Sequence, residues 1–197
     1  MQRIFILTLF FTFSLTNFNI AYSISPDVFI QSTVNRASKI LSEEIPKNMK
    51  MDKLKIIAKE TVDINGIGFY SLGNARKKLN NSQIQNYSNL FEQYFLKSFA
   101  SRLAEYTNPE IEVKNKEILN KNYTIVNSVL VSTADRPEIR IDWRVYTKDA
   151  NNPLIRDLII EGLSLARTQK EEFSSILNSN DNDINVLFET LKNFSNN

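Results

Sequence analysis

The sequence of 197 residues contains neither cysteine nor histidine. Without cysteine no disulfide can stabilise the fold, which must then depend on an apolar core. Without histidine the chain lacks the imidazole of Ser-His-Asp and Cys-His enzymes, and it lacks histidine-containing zinc sites. Only carboxylates, lysine, tyrosine, serine and threonine remain for chemistry, which removes the commonest classes of nucleophilic enzyme.

The excess of charge of either sign is also small, because 24 basic residues face 22 acidic ones and the formal net charge is +2. The densest basic cluster, Arg76-Lys77-Lys78, is not interleaved with aromatic residues and is typical of a solvated helix end. Nucleic acid is therefore not an expected partner. Hydrophobic residues make up 42% of the chain, which is enough for one domain with a real core.

The N-terminus has the pattern of a secretory signal peptide. A short basic start is followed by an apolar run, Ile4 to Phe13, and then by Ala21-Tyr22-Ser23 with small residues at the two positions that signal peptidase recognises. We expect a signal peptide over residues 1–23 and a single domain over residues 24–197. The alternative is a retained membrane anchor, but a span needs about 20 apolar residues, and Ser14 already interrupts this run.

Apolar residues at a spacing of 3.6 predict most of the helices. The predicted helices are Ser25 to about Glu43, Met51 to Thr61, Gln83 to about Tyr106, Ser164 to about Leu177, and Asp183 to Phe194. Between the second and third of these, Val62 to Gly73 predicts a turn and a short helix that ends at Gly73 as a C-cap. Gly66-Ile67-Gly68 is not a phosphate loop, because no Gly-Lys-Ser/Thr follows it.

The pattern changes to period two after Pro109, which predicts strands. Alternating segments run from Asn122 to Thr133 and from Glu138 to Thr147, and Leu154 to Ile160 forms a further strand. Another strand begins at Ile111, with a predicted turn near Asn115-Lys116. Strands so close in sequence must pair antiparallel. We therefore expect an α+β fold with about four antiparallel strands covered by several helices on one face.

The segment from Pro153 to Phe173 joins the last strand to a helix. Gly162 is placed at the break, where glycine tolerates a positive φ and a close approach of strand and helix. Ser164 is predicted to be the N-cap of the helix that follows. The helix then has an apolar stripe, so the segment is predicted to cover one face of the sheet.

Asp157 and Glu161 are the most suggestive pair of carboxylates in the chain. On a strand they are about 13 Å apart at 3.3 Å per residue, whereas a glycosidase needs about 5 to 9.5 Å. Asp142 opposes Asp157 only in one register of the hairpin, which the sequence leaves open. The simpler interpretation is that these carboxylates face solvent or accept hydrogen bonds from nearby amides.

Two clusters of residues resemble the MlaC, or toluene-tolerance, family. The first cluster is Val62-Asp63, Leu72-Gly73, Arg76, Gln83, Phe91, Phe95, Ser98-Phe99-Ala100, Leu103 and Tyr106. The second is Asp157, Ile160-Glu161-Gly162-Leu163-Ser164-Leu165 and Phe173, which match the family signature D-x-x-(I/V)-E-G-(I/V/L)-S-(L) and its following Phe. Two positions depart from the family, with Lys170 in place of a usual Arg and Asn152-Pro153-Leu154 in place of a usual Trp.

The resemblance implies a periplasmic carrier that holds one glycerophospholipid as cargo and needs no cofactor or metal. The implied fold is a strongly twisted antiparallel sheet with helices that enclose an apolar cavity. The implied partners are an outer-membrane lipoprotein–porin complex and an inner-membrane ABC transporter with an MCE-domain subunit, between which a monomeric carrier moves lipid and supports outer-membrane asymmetry.

We predict that the cavity is lined by apolar residues of the aromatic helix and of one sheet face. They are Phe91, Phe95, Phe99, Tyr106, Val126, Leu130, Ile141, Trp143, Val145, Leu158 and Ile160. The same residues suit an ordinary core equally well. Two alternatives also remain at this point: a small α+β enzyme with Asp142 or Asp157 as a base in an apolar pocket, and a periplasmic adaptor with a filled core.

Overall fold

The computed structural model describes residues 23–196, so the predicted signal peptide lies almost entirely outside the described residues. The helices are α1 (Pro26–Ser42), α2 (Lys47–Thr61), α3 (Ile64–Ser71), α4 (Asn81–Leu103), α5 (Leu165–Asn178) and α6 (Ile184–Asn196), with a 3-10 turn at Gly73–Lys78. The strands are β1 (Ile111–Asn120), β2 (Tyr123–Leu130), β3 (Ile139–Tyr146), β4 (Leu154–Ile160) and β5 (Leu163–Ser164). The order of elements confirms the predicted α+β class.

Local capping explains where several helices begin. α4 starts with a capping box, in which Asn80 accepts from the amide of Gln83 and the Gln83 side chain accepts from the amide of Asn80. α3 starts at Asp63, whose carboxylate accepts from the amide of Gly66 at 2.8 Å. α5 starts at Ser164, which accepts from the amide of Arg167 and so confirms the predicted N-cap.

The five strands form one antiparallel sheet in the order β1-β2-β3-β4-β5. The fifth strand, which the sequence did not predict, has two residues and pairs with the end of β4 through Ile160 and Leu163. The turn between them holds Glu161 at φ 50° and Gly162 at φ 82°. Positive φ at both positions is typical of a two-residue hairpin turn, which accounts for the glycine.

The predicted turn near Asn115-Lys116 is wrong. β1 continues through these residues to Asn120, with a shift of register between Val113 and Asn115 where it pairs with β2. Such a β-bulge adds one residue to a strand without ending it, and the sequence pattern of an added polar residue resembles that of a turn.

One face of the sheet packs against the helices. Buried residues of β2, β3 and β4, among them Val126, Trp143 and Ile155, belong to one apolar cluster with buried residues of all six helices, α1 to α6. Successive side chains of a strand point to opposite faces, so the residues between them form a second face. We call the first the helix-side face and the second the outer face.

α1 lies beside the first residues of β1, at one edge of the sheet. The Gln31 carboxamide donates to the carbonyl of Ile111 and accepts from the amide of Val113, as a neighbouring strand would. Further along β1, Lys116 forms an ion pair with Asp27 at 2.7 Å. The hydrogen bond from Lys116 lowers the pKa of the Asp27 carboxyl to about 2. Gln31 thus satisfies two backbone groups that an edge strand would otherwise leave open, and the ion pair joins α1 to β1 a second time.

Within the part of the chain that the structure describes, none of the helices combines the length and the apolar character that a bilayer crossing requires.

Candidate functional site

The register of the sheet brings the predicted strand residues together on the helix-side face. Val126 pairs with Trp143, and Trp143 pairs with Leu158, so these three side chains form a row across the sheet. The next row places Ile141 beside Ile160. The five predicted residues in these two rows therefore share one face with Leu130 and Val145.

A buried polar contact lies within this apolar face. The indole nitrogen of Trp143 donates to the Ser128 hydroxyl at 2.9 Å, and that hydroxyl donates to the carbonyl of Ile141 at 2.9 Å. Because both donors have acceptors, the face tolerates a hydroxyl without a desolvation penalty. Ser128 was not among the predicted residues, although its place between Val126 and Leu130 in the alternation indicates this face.

The other wall is a column of aromatic rings along α4. Tyr87, Phe91, Phe95 and Phe99 follow one another at a spacing of four residues, which places them on one side of a helix. Their successive ring centroids are 5.6, 6.1 and 5.6 Å apart. Phe173 of α5 meets Phe91 edge-on at 6.2 Å. These separations and tilts lie in the favourable range for aromatic pairs, so the column forms a continuous apolar wall.

Two tyrosine hydroxyls tie this wall to its neighbours. Tyr87 donates to the carbonyl of Gly68 in α3, and Tyr94 donates to the Gln169 side chain in α5, both at 2.9 Å. Burial raises the pKa of Tyr87 and of Tyr94, and the nearby Glu172 raises that of Tyr94 further. Both hydroxyls therefore remain protonated and keep donating at any ordinary pH.

The predicted residues differ in how deeply they are buried. Six of the eleven are buried in the apolar cluster: Phe91, Val126, Leu130, Ile141, Trp143 and Val145. Phe95, Phe99, Leu158 and Ile160 are half-buried, and Tyr106 is 38% exposed. The less buried members lie on β4 and on the C-terminal half of α4, with Tyr106 just after it. The layer between the sheet and α4 is therefore fully buried at its centre and less buried beside β4 and the C-terminal half of α4.

Two surface depressions accompany the layer, and neither contains any of the eleven residues. One, of about 510 Å³, lies between α1 and the start of β1 and includes Gln31 and Lys114. The other, of about 570 Å³, lies beside α5 and includes Tyr70 and Lys170. Both are open to solvent and lined largely by polar side chains, so neither suits a pair of acyl chains.

The candidate catalytic carboxylates lie on the outer face of the sheet. Asp157 pairs with Arg144 and Asp142 pairs with Ile159, so the two aspartates do not oppose each other across the hairpin. The Asp142 carboxylate accepts a hydrogen bond from the side-chain amide of Asn127 and forms an ion pair with Arg140. Their placement supports the simpler interpretation that these carboxylates bond to nearby donors.

Asp157 has a structural task at the start of α5. Its side chain is only 1% exposed, and it accepts from the amide of Ala166 at 3.0 Å, from the Ser164 hydroxyl at 2.6 Å and from Arg144 at 3.2 Å. A carboxylate at a helix N-terminus satisfies free amides and interacts favourably with the helix dipole. Among residues 23–196, no three carboxylates converge closely enough to hold a metal ion.

A comparison with curated proteins gave no match. Among solved structures, the chain is similar to the phospholipid-binding protein from Ralstonia solanacearum, which was solved in complex with a phospholipid. The two are 16% identical with a TM-score of 0.73, and the alignment covers 87% of this chain and 97% of that chain. At this identity the likeness shows a shared fold.

The family comparison covers most of the chain. The model of the family described as "MlaC protein" matches residues 31–193, which extend from α1 to α6 and include both walls of the layer. The match includes both clusters of residues that resemble the family in the sequence, from Val62 to Tyr106 and from Asp157 to Phe173. The chain belongs to the MlaC family.

Proposed function

We propose that this protein is a phospholipid carrier that holds the acyl chains of one lipid between the helix-side face of the sheet and the aromatic column of α4. The observation that carries the proposal is the apolar layer itself, formed on a fold shared with a protein solved with a bound phospholipid. Membership of the MlaC family supports the same function. Burial of an acyl chain in such a layer stabilises the complex by about 0.8 kcal/mol per CH₂.

Loading requires the layer to open. The six buried members of the predicted set belong to one packed apolar cluster, so acyl chains can enter only if α4 and the sheet separate. The half-buried side, with Phe95, Phe99, Leu158 and Ile160, is where separation disturbs the least packing. We propose that the acyl chains enter there and displace these side chains first.

The rest of the proposal follows from the family. Residues 1–23 act as a signal peptide, and residues 24–197 form a single lipid-binding domain in the periplasm. The monomeric carrier moves glycerophospholipid between an outer-membrane lipoprotein–porin complex and an inner-membrane ABC transporter with an MCE-domain subunit, and so supports outer-membrane asymmetry. The layer needs no metal, cofactor or catalytic residue for this transport, because binding and release involve no covalent chemistry.

Mass spectrometry of lipid extracted from the natively purified protein tests the proposal directly. We expect glycerophospholipid at about one molecule per chain, since one layer of this kind accommodates one pair of acyl chains. A protein that is purified empty and that takes up no lipid from vesicles would falsify the carrier function. That result would support an adaptor with a permanently filled core.

A matched pair of variants on β4 tests which face of the sheet binds the lipid. Leu158→Gln places an amide on the helix-side face of the sheet. Ile159→Gln places the same amide one residue further along β4, on the outer face. Both side chains are half-buried, so the structural cost of the two changes is similar. We expect about a tenfold loss of lipid uptake for Leu158→Gln, because a buried amide without a partner costs about 1 to 3 kcal/mol, and no loss for Ile159→Gln. Equal uptake by both variants would contradict the proposed lining.

A further inference from the structure

Arg136 is held in a fixed position on the loop between β2 and β3. Its Nη2 donates to the carbonyl of Val131 at 3.0 Å, and its backbone pairs with Thr133 across the tight turn of the loop. The guanidinium carbon lies 5.8 Å from the ring centre of Tyr106, just after α4. The side chain therefore bridges the end of the sheet to the end of α4, the two walls of the apolar layer.

The guanidinium of Arg136 lacks an anionic partner among residues 23–196. Arg140, Arg144 and Arg156, which also lie on the sheet, each form an ion pair with an aspartate. Neither Asp135 nor Glu138, the acidic neighbours of Arg136 in the loop, is within ion-pairing distance of it. In addition, Nε of Arg136 is buried and has no acceptor. Nε of Arg144 is also buried without an acceptor, but Arg144 has its ion pair with Asp157, so the missing anion is what distinguishes Arg136 and leaves it able to bind an anionic acceptor.

The position of Arg136 points to the source of that acceptor. Leu130, at the end of β2, is a buried member of the lining set, and Val131, which binds Arg136, follows it directly. Tyr106 is the most exposed member of the set. Arg136 thus lies where the apolar layer meets water. In a phospholipid the phosphate occupies the corresponding boundary, between the acyl chains and the solvated head.

We propose that Arg136 binds the phosphate group of the phospholipid cargo. The proposal rests on the carrier function proposed above and adds to it a residue that recognises the head of the lipid. A guanidinium presents several donors in one plane that fit phosphate oxygens, and within the described residues Arg136 uses only one of them, from Nη2 to the carbonyl of Val131. A contact with the phosphate does not distinguish between phospholipids that differ in the alcohol of the head group.

Uptake of two lipids, one with a phosphate in its head group and one without, tests the proposal. The purified protein is incubated with vesicles that contain either fluorescent phosphatidylglycerol or fluorescent diacylglycerol, which has the same acyl chains and no phosphate. We expect Arg136→Gln to lower the apparent affinity for phosphatidylglycerol by about tenfold to a hundredfold, and to leave uptake of diacylglycerol unchanged. Arg136→Lys, which keeps the charge without the planar donors, should lie between wild type and Arg136→Gln.

Arg76→Gln is the matched control. Arg76 also lies over an aromatic ring, with its guanidinium carbon 4.4 Å from the ring centre of Phe69, and the variant removes the same charge outside the β2–β3 loop. We expect this variant to take up both lipids as wild type does. An equal loss in Arg76→Gln and Arg136→Gln would show a general effect of net charge and overturn the proposal.

The remaining outcomes separate this proposal from the carrier function. If Arg136→Gln takes up phosphatidylglycerol as wild type does, or loses both lipids equally, Arg136 is not a phosphate ligand. If calorimetry of the lipid-free protein shows Arg136-dependent binding of inorganic phosphate while lipid uptake is unaffected, the site serves free phosphate and the lipid assignment is overturned. If wild type takes up neither lipid, the carrier function itself fails.

Discussion

At the scale of single residues, Asp157 decides how the last strand is joined to the helix that follows it. Its carboxylate accepts three hydrogen bonds, from a helix amide, a hydroxyl and a guanidinium. Two of these donors, Ser164 and Ala166, are the first residues at the start of α5. A residue that resembles a catalytic base in the sequence is therefore a structural ligand of a helix N-terminus.

Asp157→Asn should lower the free energy of unfolding by about 3 kcal/mol, because the change removes the charge of a buried carboxylate that accepts three hydrogen bonds and leaves at least one of its donors without a partner. Urea unfolding followed by circular dichroism measures this loss. Asp52→Asn is the control, since the Asp52 side chain is 72% exposed and its ion pair with Lys55 contributes little. A similar loss in the two variants would show that Asp157 does not hold α5 in place.

At the scale of secondary-structure elements, the close approach of α3 and α4 fixes the aromatic column. The hydroxyl of Tyr87 donates to the carbonyl of Gly68. A Cβ added at Gly68 would lie 2.7 Å from Cδ1 of Phe91, closer than atoms tolerate. Gly68 therefore lets α3 rest against the aromatic face of α4. An added Cβ would also meet the Asp63 side chain at Gly66, so both glycines have a packing role and do not form a phosphate loop.

Gly68→Ala should lower the free energy of unfolding by about 1 to 2 kcal/mol, because strain from overpacking exceeds the gain in helix propensity. The same change in a Phe91→Leu background should cost less, since the smaller side chain leaves room for the methyl group. Thermal and urea unfolding of the four proteins of this double-mutant cycle measures the coupling. Additive effects would indicate that the clash is relieved elsewhere.

At the scale of the whole molecule, the structure shows a closed form of the proposed carrier. Buried residues of the sheet and of six helices form one apolar cluster, and six of the predicted lining residues belong to its interior. A lipid that enters this cluster replaces contacts between side chains by contacts with acyl chains. The bound lipid then becomes part of the core and must affect the stability of the entire domain.

Removal of the lipid should therefore lower the unfolding temperature, and reloading should restore it. A ligand that binds only the folded state at a concentration of 100 Kd contributes about 2.7 kcal/mol, which corresponds to about 5 to 10 °C for a domain of this size. Calorimetry of delipidated and reloaded protein, with a detergent blank as control, measures the shift. Identical unfolding temperatures would indicate that lipid binds outside the core.

Much of the secondary structure follows from local patterns. α4 begins and ends within a few residues of its prediction, because capping residues and a periodic aromatic face mark a helix over a short range. The prediction of a turn near Asn115-Lys116 is wrong because it also rested on a local pattern. A bulge and a turn carry similar polar residues, and only pairing with β2 distinguishes them.

The sequence by itself determined the class of the fold, the alternation that separates Val126 from Ile125 and the helical stripe that contains Phe91, Phe95 and Phe99. These properties depend on the periods of 2 and 3.6 residues, which are local. Only the tertiary structure decided that Asp157 faces Arg144 and not Asp142, that the lining set is buried at one side and looser at the other, and that Arg136 lies against Tyr106 without an acidic partner among the described residues. Strand register, burial and contacts between distant loops depend on the packing of whole elements, and no local period encodes that packing.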